Sequence, residues 1–289
     1  CGVCTNEERN NENYIIKGNY FASTSNLGSH NIVAGVDVFR DNRLANNHQA
    51  GSDYRIFTSD TIIRGTELFP VFDENSLIRY QPILQKSLGN DFRTYSAFLN
   101  DAWQVNPRLS VNLGVRFDKN DGKDAGGVLV VRDSAISPRA SVTFDPGANG
   151  VWTLNAGFAK YVTAIANSVA DGATAGGQPA RFDWFYGGPA INANRSGTLV
   201  PAADGIRQVF AWLAANGGTS RPGDGTVFVP GLTARIDGTL ASPNTRELTL
   251  GVTRRLGSKG MIRLDGVLRE LRDFYASTST PNDRVQNPG

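Results

Sequence analysis

A strict alternation of apolar and polar residues constrains this sequence more than any other feature. From Leu109 to Phe117, every second residue is apolar, and the residues between them are polar or glycine. Because successive side chains of a β-strand point to opposite faces, this alternation predicts a strand with one apolar and one polar face. The same pattern predicts seven further strands, at residues 14–23, 30–40, 92–105, 136–145, 151–162, 246–256 and 261–274.

The length of these segments indicates the class of all-β fold. Each segment has about 10 to 13 residues, whereas strands of soluble domains usually have about five or six. A tilted strand that crosses a bilayer needs about 9 to 11 residues, and the sequence has no apolar run of the roughly 18 residues that a membrane helix needs. A hydrophobic content of 40% suits a wall in which every second residue is apolar. We therefore predict an antiparallel transmembrane β-barrel segment.

The connections between the predicted strands alternate between short and long. The predicted tight turns are residues 24–28, 106–108, 146–150 and 257–260, and the predicted long loops are residues 41–90, 119–135 and 163–242. Outer-membrane barrels have short periplasmic turns and long extracellular loops. The pattern therefore predicts long extracellular loops on one rim of the sheet.

The long loops are predicted to carry structure of their own. Residues 54–63 and 75–84 are predicted as strand extensions above the membrane. Residues 204–216 predict a short helix that stops at Gly217 and packs against its own loop through Ile206, Val209, Phe210 and Leu213.

Both ends of the chain are expected in loops on the long-loop rim, because eight strands return the chain to the rim from which the first one descends. No final strand ending in an aromatic residue is present, and eight strands would leave open edges that a bilayer does not tolerate. We therefore expect residues 1–289 to be a partial barrel domain, about eight strands of a larger barrel.

The sequence lacks the common motifs by which enzymes are recognised. It contains no nucleophile elbow, no phosphate-binding glycine loop and no dinucleotide fingerprint, and it has only two histidines. We expect no enzyme, no catalytic residue, no cofactor and no metal site. A net charge of +2 is too weak to predict a nucleic-acid partner. The acidic segment from Asp118 to Asp124 does not fit the EF-hand pattern; it is interpreted as a polar hairpin tip, with loosely bound calcium as the alternative.

An aromatic segment inside the third long loop is the candidate ligand-binding site. Aromatic side chains next to charges can stack on a sugar or a peptide at a pore mouth, or can anchor the loop to its neighbours. The candidate ligand-binding residues are Arg181, Phe182, Asp183, Trp184, Phe185 and Tyr186. Trp103 and Trp152, close to short turns, are predicted in an aromatic belt at the inner interface. The residues predicted to face the lumen are Arg116, Arg139, Arg255 and Arg263.

Cys1 and Cys4 are the two cysteines of the chain. Neither His30 nor His48 lies at the spacing of a zinc finger, and no helix follows as in a thioredoxin motif. We expect a short-range disulfide between Cys1 and Cys4 or two incidental cysteines, with a lipid-bearing Cys1 as the alternative.

Several motifs resemble the barrel of TonB-dependent outer-membrane receptors. In that family, an aromatic-x-x-D-x-W strand, here Phe98 to Trp103, is followed after a tight turn by a strand with a G-x-R-aromatic ending, here Gly114 to Phe117. Residues 242–251 are similar to another strand of these receptors, and Ser137-Pro138-Arg139 resembles their S-P-R strand start. The style of the large loops resembles the Oar-like subgroup.

The resemblance implies a barrel of about 22 strands with an N-terminal plug. It further implies active uptake of a large nutrient across the outer membrane of a Gram-negative bacterium. The implied partners are outer-membrane lipid, the plug domain and remaining strands of the same receptor, the TonB complex reached through its N-terminal part, and a nutrient ligand. Residues 1–289 contain no plug and no TonB-interacting box, so we expect barrel wall and loops only.

Two alternative functions remain open at this point. A passive, porin-like small barrel predicts that residues 14–23 pair with residues 261–274 and close an eight-stranded ring. A soluble all-β ligand-binding module predicts that Leu109, Val111, Leu113 and Val115 are buried under a second sheet.

Overall fold

The structure, a computed structural model, describes residues 7–165, 168–225 and 227–276. Cys1 and Cys4, with the disulfide predicted for them, lie outside these residues. The strands are β1 (Glu8–Thr24), β2 (Gly28–Leu44), β3 (Tyr54–Phe57), β4 (Asp60–Arg64), β5 (Glu67–Val71), β6 (Leu77–Tyr80), β7 (Asn90–Asn106), β8 (Leu109–Lys123), β9 (Leu129–Phe144), β10 (Trp152–Val162), β11 (Phe182–Phe185), β12 (Asn244–Leu256) and β13 (Gly260–Arg272). The helices are α1 (Ser168–Asp171), α2 (Ala202–Ala215) and a 3-10 turn at Gly218–Ser220.

The eight long strands form one sheet in the order β1-β2-β7-β8-β9-β10-β12-β13. The ladders from β2 to β13 are antiparallel, and each joins strands that follow one another among the eight. The existence and order of all eight predicted strands are thus confirmed. Within the described residues β1 and β13 are the two edges of this sheet and do not pair with each other, in contrast to the porin-like alternative.

The register gives the sheet two chemically different faces. Leu99 pairs with Val115, which pairs with Pro138, and all three point to the same side as Leu113 and Phe117. We call this side the apolar face; its large side chains are exposed, and Leu113 keeps 47% of its accessible surface. The opposite side, the polar face, carries the paired residues Ser96 and Asp118, both of which are buried. The soluble-module alternative requires a second sheet over Leu109–Val115, but Leu113 and Val115 are exposed among the described residues.

The predicted long loop at residues 119–135 is wrong. Strands β8 and β9 continue through it in register, for example Asn120 with Asp133, and only residues 124–128 connect them. The Asp124 carboxylate closes this turn by accepting hydrogen bonds from the backbone N–H groups of Gly126 (2.9 Å) and Val128 (2.8 Å). The alternation of apolar residues misses this part of the hairpin because polar side chains occupy both faces.

Residues 44–89 and 171–235 belong to a second compact unit with sheets of its own, here called the loop unit. Strands β11, β6 and β3 form one antiparallel sheet, and β4 pairs with β5 in another. The predicted strand extensions at residues 54–63 and 75–84 thus contain strands, but these pair inside the loop unit instead of extending the long sheet: β3 pairs with β6, and β4 with its neighbour β5. The second partner of β6, β11, is distant in sequence, which local patterning does not reveal.

The predicted helix in the third long loop is confirmed as α2. Val209 and Leu213 are buried in an apolar cluster of the loop unit, and Phe210 packs against it, whereas Ile206 is exposed. Gly217 follows the helix with φ = 98°, a conformation that favours glycine. None of the helices in the described part of the chain is long and apolar enough to cross a membrane.

Candidate functional site

Arg116 on β8 is the centre of a hydrogen-bonded network on the polar face. Its Nε donates to Asp118 Oδ1 at 2.7 Å, and its Nη2 donates to Ser96 Oγ at 2.6 Å and to Asp37 Oδ2 at 3.2 Å. The Ser96 hydroxyl in turn donates to Asp118 Oδ1 at 2.6 Å. The strand register produces this cluster, because Asp37, Ser96 and Asp118 lie side by side on β2, β7 and β8. Two carboxylates compensate the half-buried guanidinium, as a charge withdrawn from bulk water requires.

A second polar network lies further along the same strands. The Asn120 amide accepts from the Thr94 hydroxyl at 2.8 Å and donates to Asp133 Oδ1 at 2.8 Å and to Ser242 Oγ at 3.0 Å. The backbone N–H of Ser242 donates to Asp133 Oδ2 at 2.6 Å. This network ties the segment before β12 to β8 and β9.

Two acceptors next to Arg116 have hydrogen-bonding capacity to spare. Asp37 Oδ1 and Ser137 Oγ are buried and have no hydrogen-bond partner among the described residues. Asp37 contacts the Arg116 guanidinium, and Ser137 is paired with Arg116 in the β8–β9 ladder. Buried polar atoms are normally satisfied, so these positions suit water or the donor groups of a polar ligand.

A groove of about 400 Å³ opens on the polar face beside this network. Its lining includes Asn100, Asn112, Arg139, Tyr161 and Glu247 from five neighbouring strands. The Arg139 guanidinium lies 5.0 Å from the centre of the Tyr161 ring and makes no hydrogen bond or ion pair within the described residues. The groove therefore combines amide groups with an arginine that has no carboxylate partner, a lining suited to a polar or anionic ligand.

The predicted placement of four arginines on one face is confirmed by the register. Arg139 pairs with Gly114 and Arg116 with Ser137, both within the polar rows of the sheet. Arg263 pairs with Thr253, and Arg255 with Met261, on the same side. The groove and its amide residues were not predicted; the register that brings them together follows from pairing between distant strands.

The aromatic candidate segment lies in the loop unit, where most of it is structural. Trp184 and Tyr186 are buried; the Trp184 indole N–H lies 3.2 Å from the carbonyl oxygens of Arg221 and Pro222, and the Tyr186 hydroxyl donates to Pro189 O at 2.9 Å. Burial raises the pKa of the Tyr186 hydroxyl. These contacts support the interpretation that this part of the segment anchors the loop.

The charged members of the segment are engaged as well. Asp183 accepts two hydrogen bonds from Arg79, at 2.7 and 2.8 Å, and this hydrogen bonding raises the pKa of Arg79. Phe182 packs against the apolar cluster, Arg181 is half exposed, and Phe185 is 51% exposed. Ligand contact by this segment stays a prediction, with Arg181 and Phe185 the members best placed for it.

Trp103 and Trp152 lie near the short turns, as predicted. The Trp103 ring stacks on His30 with ring centres 5.1 Å apart, and its N–H donates to Leu27 O at 2.7 Å. The Arg254 guanidinium lies 4.9 Å from the centre of the Trp152 ring. A role at the inner membrane interface stays a prediction.

The acidic segment from Asp118 to Asp124 is mostly strand, so its interpretation as a hairpin tip is wrong except at Asp124. Asp118 and Asp124 are occupied by the hydrogen bonds described above. Across the described residues, no group of three or more His, Cys, Asp or Glu side chains is arranged to hold a metal ion.

Comparison with known proteins decides the family. The model of the family described as TonB dependent receptor-like, beta-barrel matches residues 5–287. The chain belongs to this family. Its members are transporters and not enzymes, which confirms the expectation drawn from the missing catalytic motifs.

Individual relatives of the family cover different shares of the chain. Over 84 residues, 29% of this chain and 8% of the relative, the sequence is 33% identical to the TonB-dependent transporter Oar of Myxococcus xanthus. Two solved variants of the FrpB iron transporter from Neisseria meningitidis are 11% and 12% identical, with TM-scores of 0.29 and 0.30. The matches cover 91% and 92% of this chain and 44% and 46% of the FrpB chains. The chain thus spans less than half the length of these relatives.

Proposed function

We propose that this chain forms part of the wall and loops of an outer-membrane TonB-dependent transporter that takes up a large, polar nutrient. In this proposal the apolar face contacts lipid and the polar face lines the lumen, the arrangement that outer-membrane barrels use. The observation that carries it is that exposed apolar side chains cover one face of the sheet, whereas the other face carries the Arg116 network, in which Ser96 and Asp118 are buried. Water alone on both sides would favour the reverse distribution.

The open sheet supports a larger barrel as the working unit. Residues 1–289 are proposed to be a partial barrel domain, because the edges β1 and β13 each have one neighbour within the described residues. Unpaired strand edges inside a bilayer cost several kcal/mol per backbone group, so further strands are needed to close the ring. The partners proposed on this basis are those strands, a plug domain in the lumen, outer-membrane lipid and the TonB complex.

Ligand binding is proposed on the polar face and on the exposed residues of the aromatic segment. The groove offers Arg139, Asn100 and Asn112 to the ligand. Asp37 Oδ1 and Ser137 Oγ, which have no hydrogen-bond partner in the described part of the chain, offer two acceptors. This set favours a ligand that carries both hydroxyl or amine donors and an anionic group.

Uptake by the intact transporter tests the proposal. A strain that lacks the encoding gene is complemented with the wild-type gene, and growth on a panel of limiting large nutrients is compared in the presence and absence of TonB. We expect rescue that is lost without TonB. Rescue that persists without TonB would indicate a passive porin, and recovery of the protein in the detergent-free soluble fraction would indicate a soluble binding module.

Single-cysteine labelling tests which face meets lipid. Asn112→Cys and Leu113→Cys, made in a Cys1→Ser/Cys4→Ser background, place the thiol on neighbouring residues of opposite faces. In whole outer membranes, we expect a water-soluble maleimide to label position 112 and only a lipophilic maleimide to label position 113. The reverse result would contradict the assignment of the faces.

A further inference from the structure

The rim of the apolar face carries a cluster of basic residues that the proposed transport does not use. Arg40 and Arg93 are cross-strand partners, and Arg93 is next to Asp121, which pairs with Arg132. Lys119 and Lys123 lie one step to either side of Asp121 on the same face of β8. We call these five residues, Arg40, Arg93, Lys119, Lys123 and Arg132, the cationic rim.

The carboxylates around the cationic rim do not neutralise it. Asp91 accepts hydrogen bonds from Arg40 (2.9 Å) and Arg93 (2.5 Å). Asp121 lies 3.8 Å from the Lys119 ammonium and 3.9 Å from Arg132 Nε, and Glu12 on β1 acts electrostatically on Arg40. Within the described residues, these five cations thus share Asp91, Asp121 and the electrostatic effect of Glu12, which leaves a positive excess on this rim.

Lys119 and Arg132 are two cations of the rim that are available to a ligand. Their side chains are 57% and 69% exposed, and their ion pairs with Asp121 are longer than a hydrogen bond. Neither side chain makes a hydrogen bond within the described residues. Their N–H groups are therefore free to donate to the oxygen atoms of an anion.

The cationic rim borders directly on exposed hydrocarbon. Lys119 pairs with Tyr95, and one step further along β8 the apolar residue Phe117 pairs with Ile136. Two residues along a strand span about 7 Å, so cations and apolar side chains meet within one such step. An exposed aromatic such as Tyr95 at this boundary is typical of a membrane interface.

We propose that the cationic rim binds the phosphorylated headgroup of a lipid in the outer leaflet, whose acyl chains lie along the apolar face below. Charge complementarity selects an anionic group, and the adjoining hydrocarbon selects a lipid over a soluble anion. The rim spans β2 to β9, three inter-strand steps of about 4.8 Å, which accommodates a headgroup with more than one phosphate. The inference rests on the proposed position of the sheet in the membrane and is independent of which nutrient is transported.

Binding of defined lipids to the detergent-purified transporter tests this site. The probes are bis-phosphorylated lipid A, the same lipid without its phosphates, and the deacylated phosphorylated disaccharide, each titrated by native mass spectrometry. The test variant is Lys119→Gln/Arg132→Gln. The matched control is Arg254→Gln/Lys259→Gln, which removes one arginine and one lysine near the opposite end of the strands.

We expect the test variant to weaken binding of the bis-phosphorylated lipid about 25-fold, at roughly 5-fold per basic residue. The control variant should bind the bis-phosphorylated lipid with the affinity of the wild type. The dephosphorylated lipid should bind the wild type and both variants with equal affinity, because the substitutions remove charge and leave the contact with the acyl chains unchanged. Equal losses in test and control variants, or equal affinity of wild type for both lipids, would overturn the proposal. If the wild-type protein bound the deacylated disaccharide as tightly as the bis-phosphorylated lipid, the cationic rim would instead be a site for soluble anions.

Uptake measurements keep this inference separate from the proposed function. The cationic rim lies on the face opposite the Arg116 network, so the test variant should transport nutrient at the wild-type rate. Uptake that does not depend on TonB would contradict the proposed transport function but would not affect the conclusion about lipid binding. Recovery of the wild-type protein in the soluble fraction would end both.

Discussion

The long sheet and the loop unit distribute apolar residues in opposite ways. In the loop unit, Trp184 and Ile78 are fully buried in an apolar cluster, as in an ordinary water-soluble domain. In the long sheet, large apolar side chains such as Leu113 and Leu248 are exposed, and Ser96 and Asp118 are among the buried residues. The hydrophobic effect places apolar surface away from water, so the difference indicates two surroundings for one chain.

The largest expected effect is in the core of the loop unit. Trp184→Ala should lower the stability of this unit by about 3 to 5 kcal/mol, because a fully buried indole leaves a cavity and two carbonyl groups without a donor. Protease cleavage of the loops during a temperature ramp measures the loss. Phe185→Ala, at the exposed neighbouring position, should stay within about 0.5 kcal/mol of wild type. A similar loss of stability in both variants would contradict the conclusion that the loop unit buries its apolar residues as a water-soluble domain does.

A charge on the apolar face of the long sheet tests the other half of the comparison. Leu113→Arg should cost about 2 to 4 kcal/mol if this side chain contacts lipid near the bilayer centre. The fraction of folded protein in lipid vesicles, titrated with denaturant, reports the change. Asn112→Arg places the same charge on the polar face and should cost far less. The same cost at both positions would mean that neither face contacts hydrocarbon.

Removal of the Arg116 charge tests the buried polar side of the sheet. Arg116→Met should destabilise the sheet by about 2 kcal/mol, because Asp37 and Asp118 then face each other without their shared counter-charge. Denaturant titration in vesicles is again the measurement. Arg263→Met removes a more exposed arginine on the same face, which pairs with Asp265 two residues away, and should cost at most about 1 kcal/mol.

The part of the fold that follows local alternation was predictable from the sequence. The run from Leu109 to Phe117 predicts both strand β8 and its two faces, because side-chain direction in a strand depends only on residue parity. Beyond Asp118 the same argument fails, since polar residues on both faces leave no alternation to detect. Residues 75–84 were assigned to the wrong sheet because one pairing partner of β6 lies far along the chain: Arg79 pairs with Asp183, 104 residues away.

The candidate site divides in the same way. The alternation of apolar and polar residues along each strand predicted that Arg116 and Arg139 lie on the polar face. Their contacts were not predictable, because Asp37 is 79 residues from Arg116 in the chain. The aromatic segment shows the limit of composition: four aromatics in five residues suit a ligand platform and a buried anchor equally, and the contacts of Trp184 with Arg221 and Pro222 favour the anchor.

The smallest expected effect concerns the end of helix α2, where local sequence and structure agree. Gly217 has φ = 98°, and a side chain there strains the backbone, so Gly217→Ala should lower the stability of the loop unit by about 1 kcal/mol. Gly225→Ala, whose added methyl group meets open space, is the matched control and should have little effect. The same protease assay resolves the pair. Since the loop unit is stabilised as a water-soluble domain is, this loss should persist when the transporter is moved from vesicles to detergent, whereas the cost of Leu113→Arg should fall. A Gly217→Ala cost that changes with the lipid would place this helix, too, under the influence of the membrane.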